Sequence, residues 1–175
     1  IDLSHVGDRT TLEAIEHSEA PVAITHANAR SQYDHPRNKT DEAIMKLAER
    51  GGVIGANAYP PFFPDEFETT VGEYVGAIDY LVQMVGIDHV GIGTDFCMAQ
   101  PQAFFDWIRS SQGTIPAEDA PRIPEPYRHL RGLSGPTEFS NVAAALLERG
   151  YAPGDARKVL GENWLRLFGQ VWKAQ

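Results

Sequence analysis

Two hydrophobic periods alternate along this chain. Short apolar runs at residues 1–6, 21–26, 52–58 and 90–94 have the length and aliphatic content of buried parallel strands. Between them the apolar positions recur at helical spacing. Ile44, Leu47 and Ala48 share one face of a helix that opens at Thr40 and Asp41 and stops at Gly51-Gly52. Val71, Tyr74, Ile78, Leu81, Val82 and Val85 mark a longer one. Two capping boxes, Thr10 with Glu13 and Thr70 with Glu73, predict the start of a helix reaching about His17 and the start of the longer helix. Closing helices are expected over 138–149 and 153–171, the second interrupted near Gly161. Segment 97–136 breaks the pattern. It is rich in proline, carries Phe104, Phe105 and Trp107, has a weak helical signal over 102–110, and reads as a long loop serving as a lid or contact surface.

Four successive strand–helix cycles without β-hairpins place the chain in the α/β class. They amount to half of an eight-stranded (β/α)8 TIM-type barrel, which typically needs about 250 residues. An open doubly wound sheet is the alternative, but the first βα turn, His5-Val6-Gly7-Asp8, lacks the Gly-x-Gly-x-x-Gly phosphate fingerprint. Residues 1–175 are read as one unit, and because the chain opens without Met inside a predicted strand, it is expected to be a piece of a longer polypeptide.

Composition narrows the partners. Fifteen basic against 24 acidic residues give a net charge of −9, which repels phosphate backbones and anionic lipid, so no nucleic-acid partner is expected and membrane surfaces are poor candidate partners. No apolar stretch reaches the roughly 18 residues of a membrane span and no signal peptide opens the chain, so a soluble, cytoplasmic protein is expected. The single cysteine, Cys97, rules out an internal disulfide and thiolate metal clusters. Any metal would therefore be held by histidine and carboxylate.

Three apolar runs end on a residue able to bind a metal or carry a proton: His5, His26 and Asp95. His5 and His26 are 21 residues apart, one βα unit, so they would come from neighbouring strands about 4.8 Å apart and could share a zinc ion. The competing reading makes each a hydrogen-bonded core or cap histidine. Asp95 could take a proton from a metal-activated water and pass it to a leaving amine, or simply cap the next segment. Arg37, in the loop above the second strand, could grip a substrate carboxylate with its planar fork, or be solvated. His17, His35, His89 and His129 are assigned solvated or capping roles, and Cys97 a small, partly buried one.

Asp2-Leu3-Ser4-His5, Thr25-His26-Ala27-Asn28-Ala29-Arg30, Asp34-His35-Pro36-Arg37-Asn38, Gly51-Gly52-Val53-Ile54-Gly55, Gly91-Ile92-Gly93-Thr94-Asp95-Phe96 and Gly161-Glu162-Asn163-Trp164-Leu165-Arg166-Leu167-Phe168 together resemble, in order and spacing, the second half of the membrane dipeptidase (renal dipeptidase) family of zinc peptidases. The resemblance implies the last four βα units of a (β/α)8 barrel with two zinc ions bridged by a glutamate and by a water or hydroxide. The bridging hydroxide would attack the carbonyl of a dipeptide, often one with a D-residue at its C-terminal position. His5 and His26 correspond to the ligands of the second zinc, Arg37 to the arginine that binds the substrate carboxylate, and Asp95 to the aspartate beside the hydrolytic water and substrate amine.

The family's first-half residues, a His-x-Asp pair, the bridging glutamate and a further histidine, have no counterparts here, so the missing N-terminal half of the barrel is an implied partner. The 175-residue chain alone is expected to bind metal weakly and to be inactive. Where many members read Asp-Phe-Asp-Gly or Asp-Tyr-Asp-Gly, this chain reads Asp95-Phe96-Cys97-Met98, which bears on substrate preference more than on reaction type. Other readings are a different binuclear barrel amidohydrolase, acting on a cyclic amide or ester, and a non-catalytic scaffold half with a vestigial metal site. The aromatic loop is also a candidate homodimer contact.

Overall fold

A computed structural model of the chain describes residues 1–111, 113–116, 118–120 and 128–172. Its elements are α1 (Asp8–His17), β1 (Ala23–Ile24), α2 (Asp41–Glu49), β2 (Val53–Asn57), α3 (Val71–Val85), β3 (Val90–Gly93), α4 (Gln102–Arg109), α5 (Phe139–Glu148), α6 (Pro153–Arg157) and α7 (Asn163–Val171). The three strands form one parallel sheet in the order β1-β2-β3, with Ile24 opposite Ile54 and Gly55 opposite Gly91. Parallel neighbours need a crossover, and α2 and α3 provide the two that join them. The architecture is therefore the α/β one that the alternating periods predict.

The first predicted strand is much shorter than residues 1–6. Asp2 makes a single parallel bridge to Ala23 on the edge of β1 away from β2. Leu3 N–H donates to the Ala23 carbonyl at 2.8 Å, and Ala23 N–H to that of Ile1 at 3.0 Å. The backbone N–H and the hydroxyl of Ser4 both donate to the Asp2 carboxylate, at 3.0 and 2.6 Å. Such local side-chain bonds compete with a ladder and turn the chain away from it.

The predicted Thr10–Glu13 capping box also fails. Helix α1 already begins at Asp8 with Gly7 as a N-cap that supplies no side chain, and Glu13 pairs with Arg9 at 2.7 Å. The second box forms as read: Glu73 N–H donates to Thr70 Oγ1 (3.3 Å) and Thr70 N–H to Glu73 Oε2 (2.7 Å). Thr40 caps α2 by accepting from Ala43 N–H, and Gly51, at φ +76°, ends that helix in the left-handed region.

Ile44 and Leu47 of α2 and Ile78 and Leu81 of α3 bury their apolar stripes in one cluster with Leu3, Ile24 and Ile54. Fully burying each such side chain contributes about 1.5–3 kcal/mol. Every residue of β2 is buried, as a central parallel strand requires. Tyr74 is wholly buried and its hydroxyl donates to the Ala56 carbonyl at 2.8 Å.

The closing segment explains its own composition. The Asn163 amide donates to the carbonyls of Ile87 and Val90, both at 2.7 Å, and the Trp164 indole N–H to that of Ile92 at 3.0 Å, tying α7 to β3. The helical path leaves regular geometry at Gly161, within a π turn at Lys158–Glu162, where the interruption is predicted. In the long segment, α4 forms over the weak helical signal with Phe105 buried; residues 112, 117 and 121–127 of that segment lie outside the described residues. No described helix is long and apolar enough to cross a membrane.

Candidate functional site

His5 follows the Asp2 bridge, His26 lies two residues past β1, and Asp95 two residues past β3. All three therefore sit at the C-terminal edge of the parallel sheet, where α/β folds of this kind gather their chemistry. The two imidazoles meet: Nε2 of His5 and Nε2 of His26 are 2.8 Å apart, with ring centroids 4.9 Å apart. Two nitrogens on a tetrahedral zinc, each at about 2.0–2.1 Å, are separated by roughly 3.3 Å, so the rings would need to open by only about half an ångström. Burial lowers the His5 pKa first, and the charges of Arg37 and His26 lower it further against Asp95 and Asp2. A neutral imidazole is the form that a metal requires.

Beneath the pair lies a polar layer that sequence reading missed. The Asp2 carboxylate accepts from Ser4 N–H and hydroxyl, from Thr25 N–H (3.0 Å) and from the Thr25 hydroxyl (2.9 Å). Burial would raise its pKa, but the bonds from Ser4 and Thr25 outweigh burial and hold it at about 2. Ser4 Oγ accepts the His26 N–H at 3.1 Å, and Thr25 Oγ1 stands 2.8 Å from His26 Nδ1. A second hidden layer is made of buried asparagines. Asn28 bonds both the N–H and the carbonyl of Asn57 (2.9 and 3.1 Å), and the Asn57 amide reaches the His26 carbonyl at 3.4 Å. These amides mimic strand pairing where the ladder ends.

Arg37 comes from a loop held at both ends. Arg30 forks onto Asp8 at 2.6 and 2.8 Å, and buried Lys39 donates to the Val6 carbonyl at 2.7 Å. One Arg37 nitrogen, Nη2, donates to the Ser4 carbonyl at 3.2 Å, and its guanidinium lies 5.4 Å above the Phe62 ring centre. Its Nε is buried without a hydrogen-bond partner, an unmet donor of the kind that a ligand satisfies. Burial depresses the guanidinium pKa, opposed by the charges of Asp95, Asp2 and Tyr59. It remains a cation at any physiological pH.

Asp95 is exposed and takes φ +56°, a left-handed conformation that a non-glycine residue adopts at a cost. Its charge acts on His5, Arg37, His129 and Cys97. His129, expected to be solvated or capping, is half-buried and packs edge-on against Phe96 at 4.8 Å. His35 takes the capping role of that pair, its ring accepting from Arg37 N–H at 3.1 Å beside the Phe62 ring. The four predicted residues thus form one electrostatic cluster. Among the described residues no group of three or more histidine, cysteine or acidic side chains gathers around a metal-sized centre. A cavity of about 710 Å³ lies beside this cluster, lined by Asn28, Tyr33, Phe62 and Glu73 among others, and none of the four lines it.

A family model described as membrane dipeptidase, peptidase family M19, matches residues 1–109. The chain belongs to the membrane dipeptidase family. Among relatives, dipeptidase ataJ of Aspergillus terreus is 32% identical over 173 residues, which cover 98% of this chain and 36% of the relative. Among solved structures, an amidohydrolase from Pseudomonas aeruginosa superposes with a TM-score of 0.86 at 35% identity, over 98% of this chain and 52% of that one. A metallopeptidase from Rhodobacter sphaeroides, liganded with a phosphinate mimic of the dipeptide L-Ala-D-Ala, gives 0.74 at 27% identity, over 98% and 42%. The chain thus spans between about a third and about half of the length of these family relatives.

Proposed function

We propose that this chain is the portion of a zinc-dependent dipeptidase that carries the second-zinc ligands and the substrate clamp. Its parallel segments would be the last four βα units of a (β/α)8 barrel. The remaining metal ligands would come from polypeptide corresponding to the part of the relatives that this chain does not span. His5 and His26 hold the zinc through their Nε2 atoms, Arg37 binds the terminal carboxylate of the dipeptide through its fork, and Asp95 accepts a proton at its carboxylate and hands it to the departing amine. Zinc, when bound, supplies a Lewis acid for the scissile carbonyl and a water acidic enough to ionise near neutral pH.

The convergence of two imidazole Nε2 atoms to 2.8 Å at the C-terminal edge of the sheet is the observation that carries this reading. The test is hydrolysis of a dipeptide panel by the intact protein, before and after chelation and in His26→Ala. Turnover lost on chelation, restored by zinc and absent in the variant is expected; no hydrolysis across the panel, with no zinc bound, would overturn the proposal.

The likeness to the Pseudomonas amidohydrolase favours a second reading, cleavage of a cyclic amide or ester at the same metal site. Arg37 separates the two, because its unmet Nε calls for an anionic group on the substrate. Exposed Trp107 and Ile108 on α4 would also meet a second copy of the chain, which sedimentation at several concentrations would reveal as a dimer.

A further inference from the structure

We propose that Asp2 and Thr25 form a relay that fixes the His26 ring with its proton on Nδ1, leaving the lone pair of Nε2 aimed at His5 and the metal position. The inference rests on the metal reading above for its purpose, but its content is a proton position that can be examined without metal.

The assignment follows from counting hydrogens. Thr25 has one hydroxyl proton and three neighbours that could accept it: Asp2 Oδ2 at 2.9 Å, Ser4 Oγ at 3.1 Å and His26 Nδ1 at 2.8 Å. Asp2 already accepts from the Thr25 and Ser4 N–H groups, and as a carboxylate it can only accept. A hydrogen bond to an ionised acceptor is roughly twice as strong as a neutral one, so the proton goes to Asp2. The Ser4 hydroxyl, 2.6 Å from Asp2 Oδ1, spends its proton the same way and accepts the His26 N–H with its lone pairs. Thr25 Oγ1 is then an acceptor towards His26. The only group left to donate across that 2.8 Å contact is Nδ1–H, assigned from the network as such protons are.

With Nδ1 protonated, Nε2 of His26 carries a lone pair. The 2.8 Å contact to His5 is then donated by His5 in the metal-free protein, and a metal ion would take the place of that proton. Outer-shell partners of this kind orient ligating histidines, and their loss typically costs about 10–100-fold in metal affinity. Asp2 and Thr25 are thus positioning residues: they touch neither metal nor substrate and act through His26.

Asp2→Asn gives the sharpest prediction. The carboxamide keeps one oxygen for the backbone donors and presents NH2 to Thr25 Oγ1, which reverses the relay: the Thr25 proton turns to His26 Nδ1, and the ring proton moves to Nε2. Long-range ¹H–¹⁵N correlation of histidine-labelled, metal-stripped protein reads the tautomer directly. His26 should be Nδ1–H in the unsubstituted protein and Nε2–H in Asp2→Asn. In chelator competition, zinc affinity should fall about 10–100-fold in Asp2→Asn and Thr25→Val and recover in Thr25→Ser, which keeps the hydroxyl. Finding Nε2–H in the unsubstituted protein overturns the relay whether or not any variant folds. Folded Asp2→Asn with unchanged tautomer and zinc affinity overturns it as well. A protein that binds no zinc yet holds His26 as Nδ1–H would sink the metal reading and leave the relay standing.

Discussion

At the scale of single residues, the cluster at the sheet edge makes two sharp demands. In the proposed role Arg37 would recognise a planar anion by its fork, so Arg37→Lys keeps the charge and loses the geometry. A charged hydrogen bond of about 2 kcal/mol corresponds to roughly a thirtyfold fall in kcat/KM for free dipeptides. The same substitution should hardly change hydrolysis of C-terminally amidated analogues; steady-state kinetics on matched substrate pairs would expose any other pattern. The second demand concerns acid. Because the folded Asp2 pKa, about 2, lies below its ordinary 3.8, the stabilisation it brings is fully present above the ordinary value and is lost as pH falls through about 2. Carbon-detected titration of the Asp2 carboxyl should therefore find a midpoint near the lower figure, and one near 3.8 would show that the Ser4 and Thr25 bonds do not persist in solution. His5, His26 and Asp95 could be picked out from sequence because each closes an apolar run. Asp2, Ser4, Thr25, Asn28 and Asn57 could not, because a short polar side chain gives no periodic signal and its partners are set by which strand edge lies beside it. Only the Asp2-Leu3-Ser4 spacing, suited to a side-chain-to-backbone turn, hinted at them.

Among the elements, helix starts and strand contacts separate what periodicity can specify from what it cannot. Thr70 and Thr10 carry the same sequence signature, yet only Thr70 caps a helix. Thr70→Ala should cost about 1 kcal/mol in denaturant unfolding, while Thr10→Ala should stay within about 0.5 kcal/mol. Equal losses would mean that α1 starts at Thr10 after all. Glu13 is captured by Arg9, a competing i, i+4 pair that the four-residue box motif does not inspect. The long helices and the central strands are legible because their burial is periodic or continuous. The first strand is not, since Ser4 diverts it by bonding Asp2. A Cβ at Gly93 or Gly55 would run into the Thr25 carbonyl, which fixes both positions as glycine and couples β2 and β3 to the backbone that bears His26. Gly93→Ala should destabilise the protein by about 1–3 kcal/mol through this overpacking and disturb His26 at the same time. A variant as stable as the parent, with an unmoved His26 signal, would argue against that coupling.

For the whole molecule, the α/β order and the parallel sheet follow from the sequence pattern and agree with the structure, and the dipeptidase family implied by the resemblance of the motifs agrees with the family match. On the proposed reading, this chain's share of the metal centre is the His5 and His26 imidazoles, whose Nε2 atoms lie 2.8 Å apart, with Asp2 bonded to Thr25 behind His26. Two ligands make a weak, open site, so the 175-residue chain by itself should bind zinc poorly and turn over no dipeptide. The most direct test of the central claim, that His5 and His26 hold one zinc of a two-zinc site, is the metal content of the intact protein with and without both imidazoles. Elemental analysis should give about two zinc per protomer, as two-metal hydrolases hold, falling to about one in the His5→Ala, His26→Ala double variant. A double variant that is folded and retains the full zinc content of the parent would contradict the account.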